Sequence, residues 1–251
     1  NEFGVRIGAL LCSLVAMGYL YALAQNLYDK STAMRAVLLL AILPLGFATG
    51  LLMTPDAPLI AAWAATLYYM ERALVAGQNS AWLGIGIAFG LGLLSKYTLG
   101  LLGIAALVFV IIDPTARRWM KRPHPYLTAL LALLLFSPVI IWNYENDWAS
   151  FAFQSNRVLA DNYEFSVHYL LSHMIILLTP VGFLAAALAL FAIKNAEDQQ
   201  LGRRRHLFVQ VFAGVPLLIC LILSTFDQPR FHWTGPIWLA LLPTIAWMMA
   251  Q

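Results

Sequence analysis

The chain has 251 residues, 61% hydrophobic and 11% charged, with a formal net charge of +3 and a mean hydropathy of +0.76. A soluble domain carries about 25% charged residues, so the composition excludes an ordinary soluble globule and points to an all-α, polytopic transmembrane bundle. So small a net charge says less than where the charges sit, and nothing in it asks for a nucleic-acid partner.

Nine apolar segments are predicted, at about 6–27, 33–52, 57–76, 82–95, 98–112, 126–142, 169–193, 207–226 and 235–250. The stretch from Trp82 to Ile112 is too long for one upright crossing of a core about 30 Å thick. Lys96 falls near its middle, so the helix is expected to break there into two short spans. The break puts Lys30, Arg35, Arg72 and the basic loops "DPTARRWMKRPHP" and "KNAEDQQLGRRRH" on one side. Only Arg6, Lys96, Arg157 and Arg230 fall on the other. By the positive-inside rule the first side is cytoplasmic. No transporter-type internal repeat and no long linker divides the chain. Residues 1–251 read as a single membrane domain, cut from a longer protein, with no signal peptide in view. Cys12 and Cys220 lie in apolar runs and read as small packing residues rather than a disulfide or a metal site.

The same topology gathers Asp56, Lys96, the loop 143–168 and the stretch 226–236 on the non-cytoplasmic face, and polar groups at membrane depth are costly unless they serve a cavity. Asp56, in "TPDAPL", is either a helix N-cap or an acid facing a polar cavity, where it would orient a hydroxyl or a cation. One carboxylate makes a poor metal site, and whether a divalent cation takes part is open. Lys96, in "GLLSKYTLG", is either a lysine snorkelling at a span end or an ammonium awaiting a phosphate, with Ser95, Tyr97 and Thr98 adding hydroxyls. In "FDQPRFHWTGP", Arg230 offers a fork suited to phosphate oxygens and His232 a hydrogen bond or a proton. Trp233 suits an apolar chain or a sugar face; an aromatic belt with a snorkelling arginine is the plainer reading. His168 and His173, five apart, do not share a helix face as metal ligands would. His124 and His206 sit in the basic loops. There is no glycine-rich phosphate loop and no nucleophile elbow.

"TPDAPL", "GLGLLSKYT", "SPVIIWNYENDWASFAFQ" and "RFHWTGPIWLALLP" occur in that order over nearly the whole chain. Together they resemble bacterial membrane glycosyltransferases of the dolichyl-phosphate-mannose-protein mannosyltransferase type, GT-C enzymes related to the aminoarabinose transferases of lipid A. The resemblance implies a polyprenyl-phosphate sugar donor, transfer with inversion to a lipid, glycan or protein hydroxyl, and a periplasmic active face of the bacterial inner membrane. It implies that Asp56 is a second acidic position beside the catalytic centre. It also implies that Lys96, Arg230 and His232 hold the donor phosphate, and Tyr97 and Trp233 lie against sugar or lipid. The family's principal acid lies in a first periplasmic loop, and this chain is expected to begin beyond it and to be inactive alone. The competing reading is a transporter or flippase that uses the same cations to bind a lipid-linked or anionic solute.

Overall fold

In a bilayer no water satisfies backbone N–H and C=O groups, so apolar runs close their own hydrogen bonds as helices. The computed structural model of the chain describes residues 2–153, 167–192, 199–225 and 233–251. Among these every regular element is helical.

Helix α1 (Glu2–Leu27) is followed by α2 (Lys30–Ile42), whose start is capped by Asp29, with its carboxylate accepting the Thr32 N–H at 2.8 Å. Pro44 then ends α2: the residue before a proline is pushed out of the helical region, and Leu43 is extended (φ −68°, ψ 145°). Helix α3 (Pro44–Leu51) leaves that break at 69° to α2. Helix α4 (Asp56–Met70) runs into a single π-helical stretch, Glu71–Val75. Helix α5 (Ala81–Ser95) stops at Lys96, whose backbone is extended, and a 3₁₀ turn (Tyr97–Leu99) leads into α6 (Gly100–Ile112). The expected break at Lys96 is therefore present. A short α7 (Pro114–Arg117) and a 3₁₀ turn (Arg118–Lys121) follow, bent 101° from the preceding helix. Helix α8 (His124–Glu145) leads to further helical residues at 149–153. Beyond them lie α9 (Val167–Ala189), α10 (Gln199–Leu223), a 3₁₀ stretch (Gly235–Ala240) and α11 (Leu242–Met248).

Among the described residues, four helices are long and apolar enough to cross a membrane: Arg6–Leu27, His124–Glu145, Val167–Ala189 and Gln200–Leu223. Counting each bent pair as one broken span gives up to six, against the nine segments expected. Proline accounts for part of the difference. The segment expected at 33–52 is split at Pro44, while 82–95 and 98–112 are two short helices as expected, neither of them long enough to count as an upright crossing by itself. The segment expected at 235–250 is a 3₁₀ stretch and a seven-residue helix. Its Ile237, Leu239, Leu241 and Leu242 are wholly buried, so it is packed inside the bundle rather than facing lipid.

Helices α1, α4, α5 and α8 pack in that order, each on the next, whereas α6 packs on α10. Glycines make α5 thin on both sides. A Cβ on Gly84 would fall 2.5 Å from the Tyr69 ring, and one on Gly92 would fall 2.7 Å from the Ala62 Cβ; both lie on the α4 side. A Cβ on Gly86 would approach Thr128 O to 3.2 Å, and one on Gly90 would approach the Ala132 Cα to 3.1 Å, on the α8 side. Without a hydrophobic drive between helices in lipid, such close backbone approach is what holds them together. The Thr128 hydroxyl adds a bond to Trp82 O at 2.8 Å. Cys12 and Cys220 are both free thiols.

Candidate functional site

The α4–α5–α8 packing brings three of the expected polar features to one end of the bundle. Asp56 occupies the first turn of α4, but its carboxylate makes no capping bond. It instead accepts from the Lys96 ammonium, Nζ to Oδ1 2.8 Å, with the two side chains 16% and 24% exposed. Lys96 is thus ion-paired and sheltered rather than simply snorkelling. Lys96 has an extended backbone between α5 and the 3₁₀ turn, and its neighbours pin it from two directions. On one side the Ser95 hydroxyl donates to Pro55 O at 2.5 Å, tying the end of α5 to the start of α4. On the other, the Tyr97 ring stacks on Phe151 (centroids 5.4 Å apart, planes within 6°) and meets Phe136 edge-on at 5.8 Å.

The Tyr97 hydroxyl lies 3.0 Å from the Ser150 hydroxyl. Ser150 in turn donates to Asn143 Oδ1 at 2.5 Å. A serine hydroxyl has one proton, so Tyr97 is the donor to Ser150. Asn143 is fully buried at the end of α8, and its Nδ2–H donates to Val139 O at 2.9 Å. Its own carbonyl accepts the Trp148 N–H at 2.7 Å and the Asn146 N–H at 3.2 Å. Between them Asp147 and Trp148 take left-handed backbone conformations, φ 52° and 56°. Such conformations cost of order 1–3 kcal/mol for a bulky residue and persist where the surroundings impose them.

Of the three hydroxyls expected to serve a phosphate beside Lys96, two are thus committed to the protein. Thr98 Oγ1 is buried without a hydrogen-bond partner. Trp233 is half-buried, next to a buried Thr234. Arg230 and His232 lie outside the described residues, as do 154–166 of the polar loop. Among the described residues no three His, Cys, Asp or Glu side chains converge as a metal-binding group. Sequence reasoning did not single out Ser150 and Asn143. The signal was an amide, Asn143, closing an apolar helix in "VIIWNYENDWAS".

A second polar cluster lies on other elements. Arg204 of α10 donates to Asp113 Oδ2 at 2.8 Å, to Val75 O at 2.8 Å and to Leu74 O at 2.5 Å. Asp113 also caps α7 through the Thr115 N–H at 3.0 Å. Glu71, almost fully buried in the π-helical stretch, accepts from Asn26 Nδ2 at 3.1 Å.

The described residues thus form an all-helical bundle with an acid–ammonium pair at a helix break. A family model described as dolichyl-phosphate-mannose-protein mannosyltransferase matches residues 1–142. The chain belongs to that family of membrane glycosyltransferases. Over 259 aligned residues it is 26% identical to the lipopolysaccharide core galacturonosyltransferase RgtA of Rhizobium johnstonii, covering 95% of this chain and 51% of that one. Its fold is that of ArnT from Cupriavidus metallidurans. The crystal structure of ArnT bound to undecaprenyl phosphate superposes with a TM-score of 0.70 at 19% identity, over 100% of this chain and 47% of ArnT. The apo structure gives 0.68 at 20% identity, over 98% and 45%. The chain spans about half the length of the relatives it matches.

Proposed function

We propose that this chain carries the donor-phosphate side of a glycosyltransferase that moves a sugar from a polyprenyl phosphate to a hydroxyl of a lipid, glycan or protein. The observation that carries the reading is the Asp56–Lys96 pair at 2.8 Å, held at a helix break in a chain of this family. The acceptor oxygen attacks the anomeric carbon as the carbon–oxygen bond to phosphate breaks, with inversion, and polyprenyl phosphate leaves carrying the extra negative charge. A fixed cation aimed at that charge lowers the barrier. Lys96 supplies it, assisted by Arg230 and His232. Asp56 orients the acceptor hydroxyl and holds Lys96 in place, while Tyr97 and Trp233 border the sugar and lipid. The reaction takes place at the periplasmic face of the inner membrane. Residues 1–251 act as one transmembrane domain.

The undecaprenyl phosphate bound to ArnT supports a lipid-linked donor, and the galacturonosyl transfer named for RgtA supports sugar transfer. The test follows a radiolabelled polyprenyl-phosphate sugar in membranes holding the full-length protein. Label should pass to an acceptor fraction, and Lys96→Ala should reduce that transfer by about 100-fold, the loss typical of removing one charge-stabilising donor. Label that crosses the bilayer without forming a new bond would instead establish a flippase.

A further inference from the structure

The groups that hold Lys96 in place are as informative as Lys96 itself. It sits in a non-helical residue between α5 and a 3₁₀ turn, so the regular hydrogen-bond ladder of α5 does not extend past it. Beyond Lys96 the next side chain to be tied down is Tyr97. Its hydrogen-bond chain runs one way: Tyr97 O–H to Ser150 Oγ, Ser150 O–H to Asn143 Oδ1, and Asn143 Nδ2–H to the backbone of α8 at Val139. Asn143 Oδ1 also accepts the Ser150 N–H at 3.2 Å, which fixes the serine backbone as well as its side chain. The chain ends on a rigid element, and its anchor is fully buried.

We propose that Asn143 and Ser150 are positioning residues that act through Tyr97 to hold the Lys96 ammonium where it meets the phosphate of a polyprenyl phosphate. The inference rests on the reading of Lys96 as a phosphate group's partner. Asn143 and Ser150 touch neither sugar nor phosphate. They set the register of the polar loop against α5 and so fix the residue that follows Lys96. With the chain broken, the Tyr97 ring keeps its packing on Phe136 and Phe151 but loses its directional tie, and the ammonium, held by the Asp56 pair, samples positions off the phosphate.

The experiment uses the full-length protein in lipid nanodiscs, with undecaprenyl phosphate as the probe and two readouts: its dissociation constant, and backbone hydrogen exchange over residues 95–99. Tyr97→Phe and Ser150→Ala should each weaken binding about three- to tenfold, the worth of one hydrogen bond. The double variant should be no weaker than either single, because both break one chain. In a Lys96→Ala background, Ser150→Ala should change binding less than about twofold. Ser150→Thr, which keeps the hydroxyl, should restore binding, and exchange at 95–99 should rise in Ser150→Ala and Tyr97→Phe alone. Losses that multiply in the double variant, or that persist at full size without Lys96, overturn the proposal. If Lys96→Ala leaves binding unchanged, the donor-site reading fails instead. Exchange at 95–99 then still decides whether Asn143 and Ser150 order that segment: unchanged exchange in Ser150→Ala overturns the positioning role too.

Discussion

At the scale of single residues, the Asp56–Lys96 and Asp113–Arg204 pairs differ in what they are for. Asp56 and Lys96 are each partly open to solvent, and their partnership leaves room for a competing anion. Replacing Asp56 with Asn removes a carboxylate that would repel an incoming phosphate. We therefore expect Asp56→Asn to bind undecaprenyl phosphate a few-fold more tightly while sugar transfer falls at least about tenfold; titrating binding and turnover in the same preparation checks both signs. Arg204 is different. Its three bonds go to a carboxylate that is 4% exposed and to two backbone carbonyls. Removing one partner of such a pair leaves an uncompensated buried charge, which costs about 3–5 kcal/mol. Arg204→Met should lower the thermal midpoint in detergent markedly. Adding Asp113→Asn should recover part of the loss, since the amide still accepts the Thr115 N–H without a charge to strand. Asp56 and Lys96 were legible as unusual residues because charge is rare in so apolar a chain. Their pairing was not, because it depends on how α4 and α5 meet across forty positions of sequence.

At the scale of elements, that meeting is set by small residues rather than by polar ones. The run "AWLGIGIAFGLGLLS" has glycines on two faces of α5, one toward α4 and one toward α8. Hydropathy alone registers it as a featureless apolar segment, so the run was read as a span and its packing role was missed. Gly92 lies a turn before Lys96, against Ala62, which has no flexible end to retreat. Gly92→Ala should force α5 from α4, cost about 1–3 kcal/mol as overpacked cores do, and weaken transfer by dislodging Lys96. Gly100→Ala, whose added methyl meets nothing within 4 Å, is the control and should leave the unfolding midpoint unchanged. Thermal unfolding of the two variants side by side checks this. The same scale explains the excess of expected spans. Pro44 breaks 33–52 into a bent pair, and Pro236 and Pro243 sit in the buried C-terminal stretch, where a window of apolar residues looks like a crossing.

At the scale of the whole molecule, polar groups collect into two sets carried by different ends of the helices. One holds Asp56, Lys96, Tyr97, Asn143 and Ser150; the other holds Glu71, Arg72, Asp113 and Arg204 with the basic turn at Arg117–Arg122. The charge bias of the sequence predicts opposite faces for Arg72, Arg204 and the basic turn on one hand and Asp56, Lys96 and the loop 143–168 on the other, because loop charges are counted without knowing any contact. The sorting has a direct consequence for access. Helix α8 begins beside the basic turn and ends at Asn143, and its 22 residues measure about 33 Å at 1.5 Å each. That length matches the hydrocarbon core, so we expect the two polar sets at opposite membrane surfaces. Cysteines introduced at the exposed positions Lys121 and Asp147, in a background with Cys12 and Cys220 replaced by Ala, should react with a membrane-impermeant maleimide from opposite sides of a sealed vesicle. In intact cells, with the outer membrane permeabilised, only the cysteine at 147 should label; in inverted vesicles only the one at 121. Labelling of both from the same side would mean that α8 does not cross. The Lys96 site would then share a surface with the basic turn, and the periplasmic placement of the reaction would fall with it.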